Sequence, residues 1–149
     1  MALTPGSTAP PIPGAGPAAG PTAVVFYKVT CPVCQMAAPK LAAFGDAYPG
    51  RIVGVGQDPA EKLEAFGERF GMSIPVLPDL PPYPLSDAYA IEVVPTLFVL
   101  DGAGTVVEAV ESWDRQGYNR ASETLAGLIG EHSVPISEAG DGLPAFRPG

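Results

Sequence analysis

Two cysteines separated by two residues are the strongest chemical signal in this sequence. They are Cys31 and Cys34, and the chain of 149 residues contains no other cysteine. The apolar run AVVFYKV at 23–29 ends just before them and predicts a buried strand, and the residues after them predict a helix. A C-x-x-C pair between a strand and a helix is typical of thiol–disulfide exchange. The pair therefore predicts a redox-active dithiol.

The spacing assigns different roles to the two sulfurs. Both can meet across one turn at the start of the predicted helix, and Cys31 lies at or just before that turn. Unpaired backbone N–H groups and the helix dipole at this end favour the thiolate, which is the attacking species in disulfide exchange. We therefore expect Cys31 to be the nucleophile and Cys34 to be the more buried resolving thiol.

The pair could also be half of a zinc site, or two small residues packed in a core. A structural zinc site usually has about four protein ligands. The chain has no second cysteine pair, and its only histidine, His132, follows about a hundred residues later. We therefore expect neither a metal nor another cofactor.

Composition and charge restrict the partners. Hydrophobic residues make up 46% of the chain and charged residues 16%, which is typical of a folded domain. The net charge of −8 opposes binding to phosphate backbones and anionic lipids, and no apolar run is long enough to cross a membrane. Residues 1–20 lack a signal-peptide pattern, so we expect a cytoplasmic protein, or a periplasmic one if an export signal has been removed.

Helix and strand patterns alternate along the chain. The helix after the cysteines is predicted to reach residue 47 with a kink at Pro39, because proline cannot donate to the preceding turn. Thr30 is a plausible cap of this helix, and Asp58 and Pro59 are suited to be the N-cap and first residue of the next. The other predicted elements are strands at 51–57, 73–77, 96–100 and 105–110, and helical segments at 85–89 and 118–129.

This order predicts an α/β fold with a mixed central sheet that has helices on both faces. Residues 1–22 are a Pro/Gly-rich N-terminal arm, residues 23–130 form the domain, and residues 131–149 are a Pro/Gly-rich tail. The composition leaves open whether the tail docks on the domain through Leu143 and Phe146 or stays loose.

Three segments carry a resemblance to a known family. FYKVTCPVCQMAAP at 26–39 resembles the active-site segment of thioredoxin-like proteins, including a proline five residues after the second cysteine. VPTLFVLD at 94–101 resembles their cis-proline strand. LTPGSTAP at 3–10 resembles the entry segment of the redoxin branch, which comprises TlpA/ResA-like and AhpC/TSA-like proteins. The resemblance implies a thioredoxin-like fold.

The resemblance also implies a substrate-binding site. It places a cis Val94–Pro95 bond opposite the cysteine pair, where the backbone of Val94 could pair with an extended substrate strand. Thr30 and Pro32, on either side of Cys31, would complete the substrate-binding positions.

One feature of thioredoxins is missing from the matching position. They carry a buried aspartate on the strand before the motif, which is assigned to proton transfer with the second cysteine, and Val25 stands there in this chain. No carboxylate occurs at 23–30, and Lys28 is either a substitute or a solvent-exposed lysine at the strand end. The sequence therefore does not identify the proton acceptor of Cys34.

The function expected from these features is thiol–disulfide exchange with a protein disulfide substrate. An upstream reductant would supply the electrons, and the protein is expected to be a monomer. A thiol-dependent peroxidase is an alternative, but such relatives use a Pro-x-x-x-Thr/Ser-x-x-Cys loop. That frame places Val24 and Lys28 before Cys31, and Tyr27 and Cys31 before Cys34, so neither cysteine matches it. A metal-delivery or docking module is a third possibility, although such relatives typically have a spacer one residue longer.

Overall fold

The computed structural model describes residues 1–15 and 19–149, so residues 16–18 of the predicted arm lie outside the described residues. Five strands form a mixed sheet, and two short strands pair separately. The elements in chain order are β1 Thr22–Tyr27, α1 Pro32–Ala47, β2 Ile52–Gly56, α2 Ala60–Phe70, β3 Val76–Pro78, α3 Pro84–Ala88, β4 Thr96–Leu100, β5 Val106–Glu111, β6 Trp113–Asp114, α4 Arg115–Ile129 and β7 Phe146–Arg147.

The central strand β1 organises the sheet, whose order is β3-β2-β1-β4-β5. It is parallel to β2 and antiparallel to β4, and all six of its residues are buried. This burial accounts for the uninterrupted apolar run in the sequence. Because side chains alternate along a strand, Val25 and Tyr27 face one core cluster and Val24 and Phe26 face the other.

Both faces of the sheet are covered by helices, as predicted. Helices α1, α2 and α4 contribute side chains to the cluster on one face. On the other face, α3 packs together with the N-terminal arm, whose Ala2 and Ile12 are buried. The Tyr89 hydroxyl donates to the carbonyl of Pro10 at 2.6 Å. The prediction of an α/β fold with a mixed sheet is confirmed, and the arm belongs to its packed structure.

The first helix starts directly after the first cysteine. α1 begins at Pro32, which is suited to the first helical position because the N–H it lacks would have no partner there. The prediction that Thr30 caps this helix is wrong: the N-cap is Cys31, whose Sγ accepts a hydrogen bond from the Cys34 N–H at 3.3 Å. The helix continues through Pro39 to Ala47.

The prediction that Asp58 caps the second helix is also wrong. α2 begins at Ala60 with Pro59 as the N-cap, and no side chain completes the cap. The Asp58 carboxylate instead accepts a hydrogen bond from the Val29 N–H at 2.8 Å. The parallel pairing of β1 with β2 brings these two loops together, and a part-buried backbone N–H without a strand partner needs an acceptor.

The C-terminal tail is docked on the domain. Ile136 and Ser137 are buried, and Leu143 packs against the core cluster that contains α1 and α4. Phe146, in contrast, is 56% exposed. Of the two contacts considered from the sequence, only the one through Leu143 is made in the core.

Candidate active site

The cysteine pair lies where β1 ends and α1 begins. Both cysteines are free thiols, Cys31 partly exposed and Cys34 only 1% exposed. The hydrogen bond from the Cys34 N–H to Cys31 Sγ holds the first sulfur over the start of the helix. The strand and the helix therefore present one sulfur to the surface and keep the other in the core.

A distant segment completes the surroundings of Cys31. The Cys31 thiol donates a hydrogen bond to the carbonyl oxygen of Val94 at 3.5 Å, and the Val94–Pro95 peptide bond is cis. These residues immediately precede β4, which pairs with β1. The sheet thus brings Val94 and Pro95 to the cysteine pair across more than sixty residues of sequence.

The two other predicted substrate-binding residues lie at the surface. Thr30 and Pro32 are both exposed, one on each side of Cys31 in the chain. Both side chains are therefore accessible beside the partly exposed Cys31.

Burial governs the chemistry of Cys34. Loss of solvent raises the pKa of the Cys34 thiol well above its usual range. The hydrogen bond with Cys31 raises that pKa further, and the negative charge of Asp58 adds to the effect. Cys34 is therefore a neutral thiol near pH 7, and it must lose a proton before it can attack a disulfide.

Two tyrosines also lie near Cys34. Tyr27 and Tyr118 are both fully buried, and their hydroxyl groups have no hydrogen-bond partner among the described residues. Burial raises the pKa of each phenol well above its usual range, and the charge of Cys34 contributes to both shifts. The inner side of the site thus combines a thiol, a carboxylate and two unpartnered hydroxyl groups.

Sequence reasoning missed Asp58 as a site residue. Its side chain lies beyond the carboxyl end of β2, and its charge acts on both Cys34 and Tyr27. Parallel neighbouring strands end at the same edge of a sheet, so a carboxylate just after β2 could have been placed beside the end of β1. The sequence analysis instead assigned Asp58 to the N-cap of the second helix.

Within residues 1–15 and 19–149, no group of three or more His, Cys, Asp or Glu side chains could hold a metal ion. Nor does this part of the chain contain a helix of the length and apolarity needed to cross a membrane. His132 is exposed in the segment after α4.

The mixed sheet and the cysteine pair at the start of α1 define a thioredoxin-like protein of the redoxin branch, as the sequence motifs predict. The model of the AhpC/TSA family matches residues 17–109, which include both cysteines and Pro95. The chain belongs to the AhpC/TSA family. Among curated protein sequences, no match was found.

Solved structures show the same fold at low sequence identity. The thioredoxin domain of a thiol-disulfide oxidoreductase from Bacteroides vulgatus is 20% identical with a TM-score of 0.67, covering 83% of this chain and 99% of that one. The thiol:disulfide interchange protein DsbE from Chlorobium tepidum is 17% identical with a TM-score of 0.65, covering 74% and 81%. StoA from Bacillus subtilis is 24% identical with a TM-score of 0.55, covering 62% and 74%.

Proposed function

We propose that this protein is a thiol–disulfide oxidoreductase that exchanges its Cys31–Cys34 dithiol with disulfides of other proteins. The observation that carries the proposal is the asymmetry of the pair: Cys31 is partly exposed beside the Val94 carbonyl, and Cys34 is buried. An accessible attacking sulfur and a sheltered second sulfur suit a two-step exchange. The similar structures named as thiol-disulfide oxidoreductase and thiol:disulfide interchange protein support the same chemistry.

In the first step, the Cys31 thiolate attacks one sulfur of the substrate disulfide. A bond forms between Cys31 Sγ and that sulfur, the substrate S–S bond breaks, and the second substrate sulfur leaves as a thiolate that takes up a proton. The Cys34 N–H, 3.3 Å from Cys31 Sγ, donates a charge-assisted hydrogen bond to the attacking thiolate. The product is a mixed disulfide between Cys31 and the substrate.

In the second step, Cys34 loses its proton and attacks Cys31 Sγ. The Cys31–Cys34 disulfide forms, the mixed disulfide breaks, and the remaining substrate sulfur leaves as a thiolate that is then protonated. Two electrons have then passed from the protein dithiol to the substrate. An upstream dithiol reductant restores the pair by the same exchange in the opposite direction.

Asp58 is the proposed proton acceptor for Cys34, acting through an intervening water. The carboxylate is only 7% exposed, and its charge acts on the Cys34 thiol. The Val29 N–H holds one of its oxygens at 2.8 Å, and the described residues offer no hydrogen-bond partner to the other. A positioned carboxylate within reach of a proton through one water can act as a general base.

The backbone of Val94 is the proposed substrate edge. Its carbonyl already faces Cys31 Sγ, so an extended segment next to a substrate cysteine can pair with this backbone while its sulfur approaches Cys31. Thr30 and Pro32, exposed at the rim, contact the same segment from the other side. Pro95 contributes by shape, because it has no N–H group and no titratable atom.

The direction of electron flow depends on the compartment. In a reducing compartment such as the cytoplasm, dithiols are kept reduced, so the net reaction there is reduction of the substrate disulfide by a monomeric protein. The domain of residues 23–130 carries this chemistry.

The test is dithiol-dependent reduction of insulin by the natural protein and by the Cys31→Ser variant. We expect turnover with the natural protein and only background with Cys31→Ser. Insulin reduction that is unaffected by Cys31→Ser would overturn the proposal. Peroxide consumption with the same thiol donor is the companion assay, and turnover much faster than insulin reduction would favour the peroxidase alternative.

A further inference from the structure

The tail that follows α4 returns to the active site along the short strand β6. β7 pairs antiparallel with β6. Just before β7, the carbonyl of Ala145 accepts a hydrogen bond from the Arg115 N–H at 2.9 Å, and the carbonyl of Pro144 accepts one from the Trp113 indole N–H at 2.7 Å. These contacts guide the chain toward the residues that surround Cys31.

The end of this path lies on the backbone that faces Cys31. The Gly149 N–H donates to Ser112 Oγ at 3.0 Å, and the Ser112 N–H donates to the carbonyl of Pro95 at 2.8 Å. Gly149 packs so closely on Val94 that a Cβ atom at this glycine would overlap the Val94 carbonyl oxygen. That oxygen is the one that accepts the hydrogen bond from the Cys31 thiol.

We infer that residues 146–149 form a displaceable strap over the substrate edge, and that an extended segment of a substrate protein takes their place on Val94, Ser112 and β6. The inference rests on the proposed function and adds two details to it. It defines the path of the substrate-binding edge, and it identifies residues 146–149 as the segment of this chain that occupies that edge. The strap is itself an extended segment that pairs with β6 and contacts Val94, so it marks the path that a substrate segment can follow.

The two halves of the tail are held differently, which makes the strap displaceable. Before the strap, the Asp141 carboxylate forms ion pairs with Lys40 at 3.0 Å and Arg115 at 3.3 Å. Within the strap, Phe146 is 56% exposed. Apart from the two-residue pairing with β6, the strap has one hydrogen bond to the described residues, from the Gly149 N–H to Ser112 Oγ. The strap can therefore open while the preceding residues stay fixed.

The edge selects extended polypeptides. Ser112 Oγ offers an acceptor for a peptide N–H, and β6 offers a backbone for pairing. The close approach of Gly149 to Val94 favours a small residue at that point of the substrate. A small disulfide such as 2-hydroxyethyl disulfide reaches the partly exposed Cys31 without using this edge, so the strap affects protein disulfides and spares small ones.

The first test compares Gly149→Ala with Gly127→Ala in the full chain. The Cβ at 149 meets the Val94 backbone and opens the strap, whereas the Cβ at 127 meets open space. We expect Gly149→Ala to lower the KM for insulin by about tenfold, or roughly 1.4 kcal/mol, with unchanged reduction of 2-hydroxyethyl disulfide. Equal insulin kinetics in both variants would overturn the inference of a displaceable strap and would leave the proposed function unaffected. Absence of insulin reduction in the natural protein would contradict the proposed function itself, and the strap with it.

The second test does not depend on turnover. Cys31 of the Cys34→Ser variant is joined by a disulfide either to an extended peptide with a single cysteine or to 2-mercaptoethanol. Amide hydrogen exchange of Phe146, Arg147 and Gly149 is then measured by NMR, since Pro148 has no N–H. We expect the peptide to remove protection from these amides and 2-mercaptoethanol to leave it unchanged. Protection that persists with the peptide would overturn the inference.

Discussion

Cys31 and Cys34 are three residues apart, yet their surroundings differ in almost every physical respect. Cys31 faces the surface, and its sulfur forms hydrogen bonds with two backbone groups, the Val94 carbonyl and the Cys34 N–H. Cys34 faces the core, where the negative charge of Asp58 helps to raise its pKa and where the buried phenols of Tyr27 and Tyr118 belong to the same cluster.

The two thiols are chemically identical and one helical turn apart, so the difference in their surroundings accounts for their different proposed roles. In the proposed function, the outer side supplies hydrogen bonds for the attacking Cys31 thiolate and a backbone edge for the substrate. On the inner side, burial raises the pKa of the Cys34 thiol and keeps it protonated until a base removes the proton. Attack and release can therefore be changed separately by substitution, and the effects should differ in kind.

The largest expected effect separates the two sulfurs. Cys31→Ser should show neither insulin reduction nor a mixed disulfide, because the attacking atom is gone. Cys34→Ser should retain the attack and accumulate a mixed disulfide, because the releasing atom is gone. Non-reducing electrophoresis and mass spectrometry after a single turnover distinguish the two results. A trapped species on Cys34 in the Cys31→Ser variant would reverse the assignment of roles.

Asp58→Asn should slow release and leave attack intact. A general base typically contributes about a hundredfold or more, so a loss of about ten- to hundredfold in the release step is expected when water partly replaces it. Rapid-mixing kinetics over a range of pH measure the two steps separately. The loss should shrink as rising pH supplies hydroxide.

Asp79→Asn is the matched control for this substitution. Asp79 is also a buried carboxylate, but it accepts hydrogen bonds from Leu85 and Ser86 at the start of α3. Asp79→Asn should lower stability and leave the pH dependence of release unchanged. Identical pH profiles for the two variants would remove Asp58 from the proton path.

Alkylation should reveal the protected state of Cys34. In the reduced protein, iodoacetamide at pH 7 should modify Cys34 at least about tenfold more slowly than Cys31, because burial raises the Cys34 pKa and blocks access. Mass mapping of the modified peptides measures both rates. Equal rates would contradict the contrast between the two sides.

The same raised pKa predicts a pH dependence of stability. Unfolded cysteine ionises near pH 8.5, below the pKa of folded Cys34. The stability that Cys34 contributes is therefore fully present below about pH 8.5 and is lost as the pH rises above it. Urea unfolding of the reduced protein should show this decline, and Cys34→Ala should reduce it.

The smallest expected effect concerns the phenols on the inner side. Tyr118→Phe removes a hydroxyl that has no partner among the described residues, so stability should stay unchanged or rise by about 1 kcal/mol. Tyr48→Phe is the control, because that hydroxyl bonds Ser122 at 2.6 Å and the Val134 N–H at 2.9 Å, and its loss should cost about 1–2 kcal/mol. Urea unfolding measures both. An equal cost would mean that the Tyr118 hydroxyl binds an internal water.

Local patterns were enough to predict most of the sheet and the first helix. The strands at 23–29, 51–57 and 105–110 appear as β1, β2 and β5 with shifted ends, and the strand at 96–100 appears as β4 with the predicted bounds. Their signal is strong because central strands are buried on both sides and carry apolar side chains throughout. The predicted caps at Thr30 and Asp58 were wrong because capping preference describes an isolated helix end, and both ends here lie next to other chain segments.

The pair β6 and β7 was not predicted from the sequence. Each strand has two residues, and they lie more than thirty residues apart in the chain. Two residues are too few to show the alternation of apolar and polar side chains by which a strand is predicted. Their pairing depends on the docking of Leu143 and the Trp113 indole.

The sequence by itself determined the chemistry of this protein: two cysteines at a strand-to-helix junction, an apolar central strand and a Val94–Pro95 step, which together indicate a redoxin. These features are local, so residue type and spacing suffice to recognise them. Only the tertiary structure decided which groups surround each sulfur. The charge of Asp58, which follows the neighbouring strand β2, acts on Cys34, and the tail reaches Val94 through contacts that are distant in sequence. Such contacts depend on how the sheet is assembled, and no local pattern records that assembly.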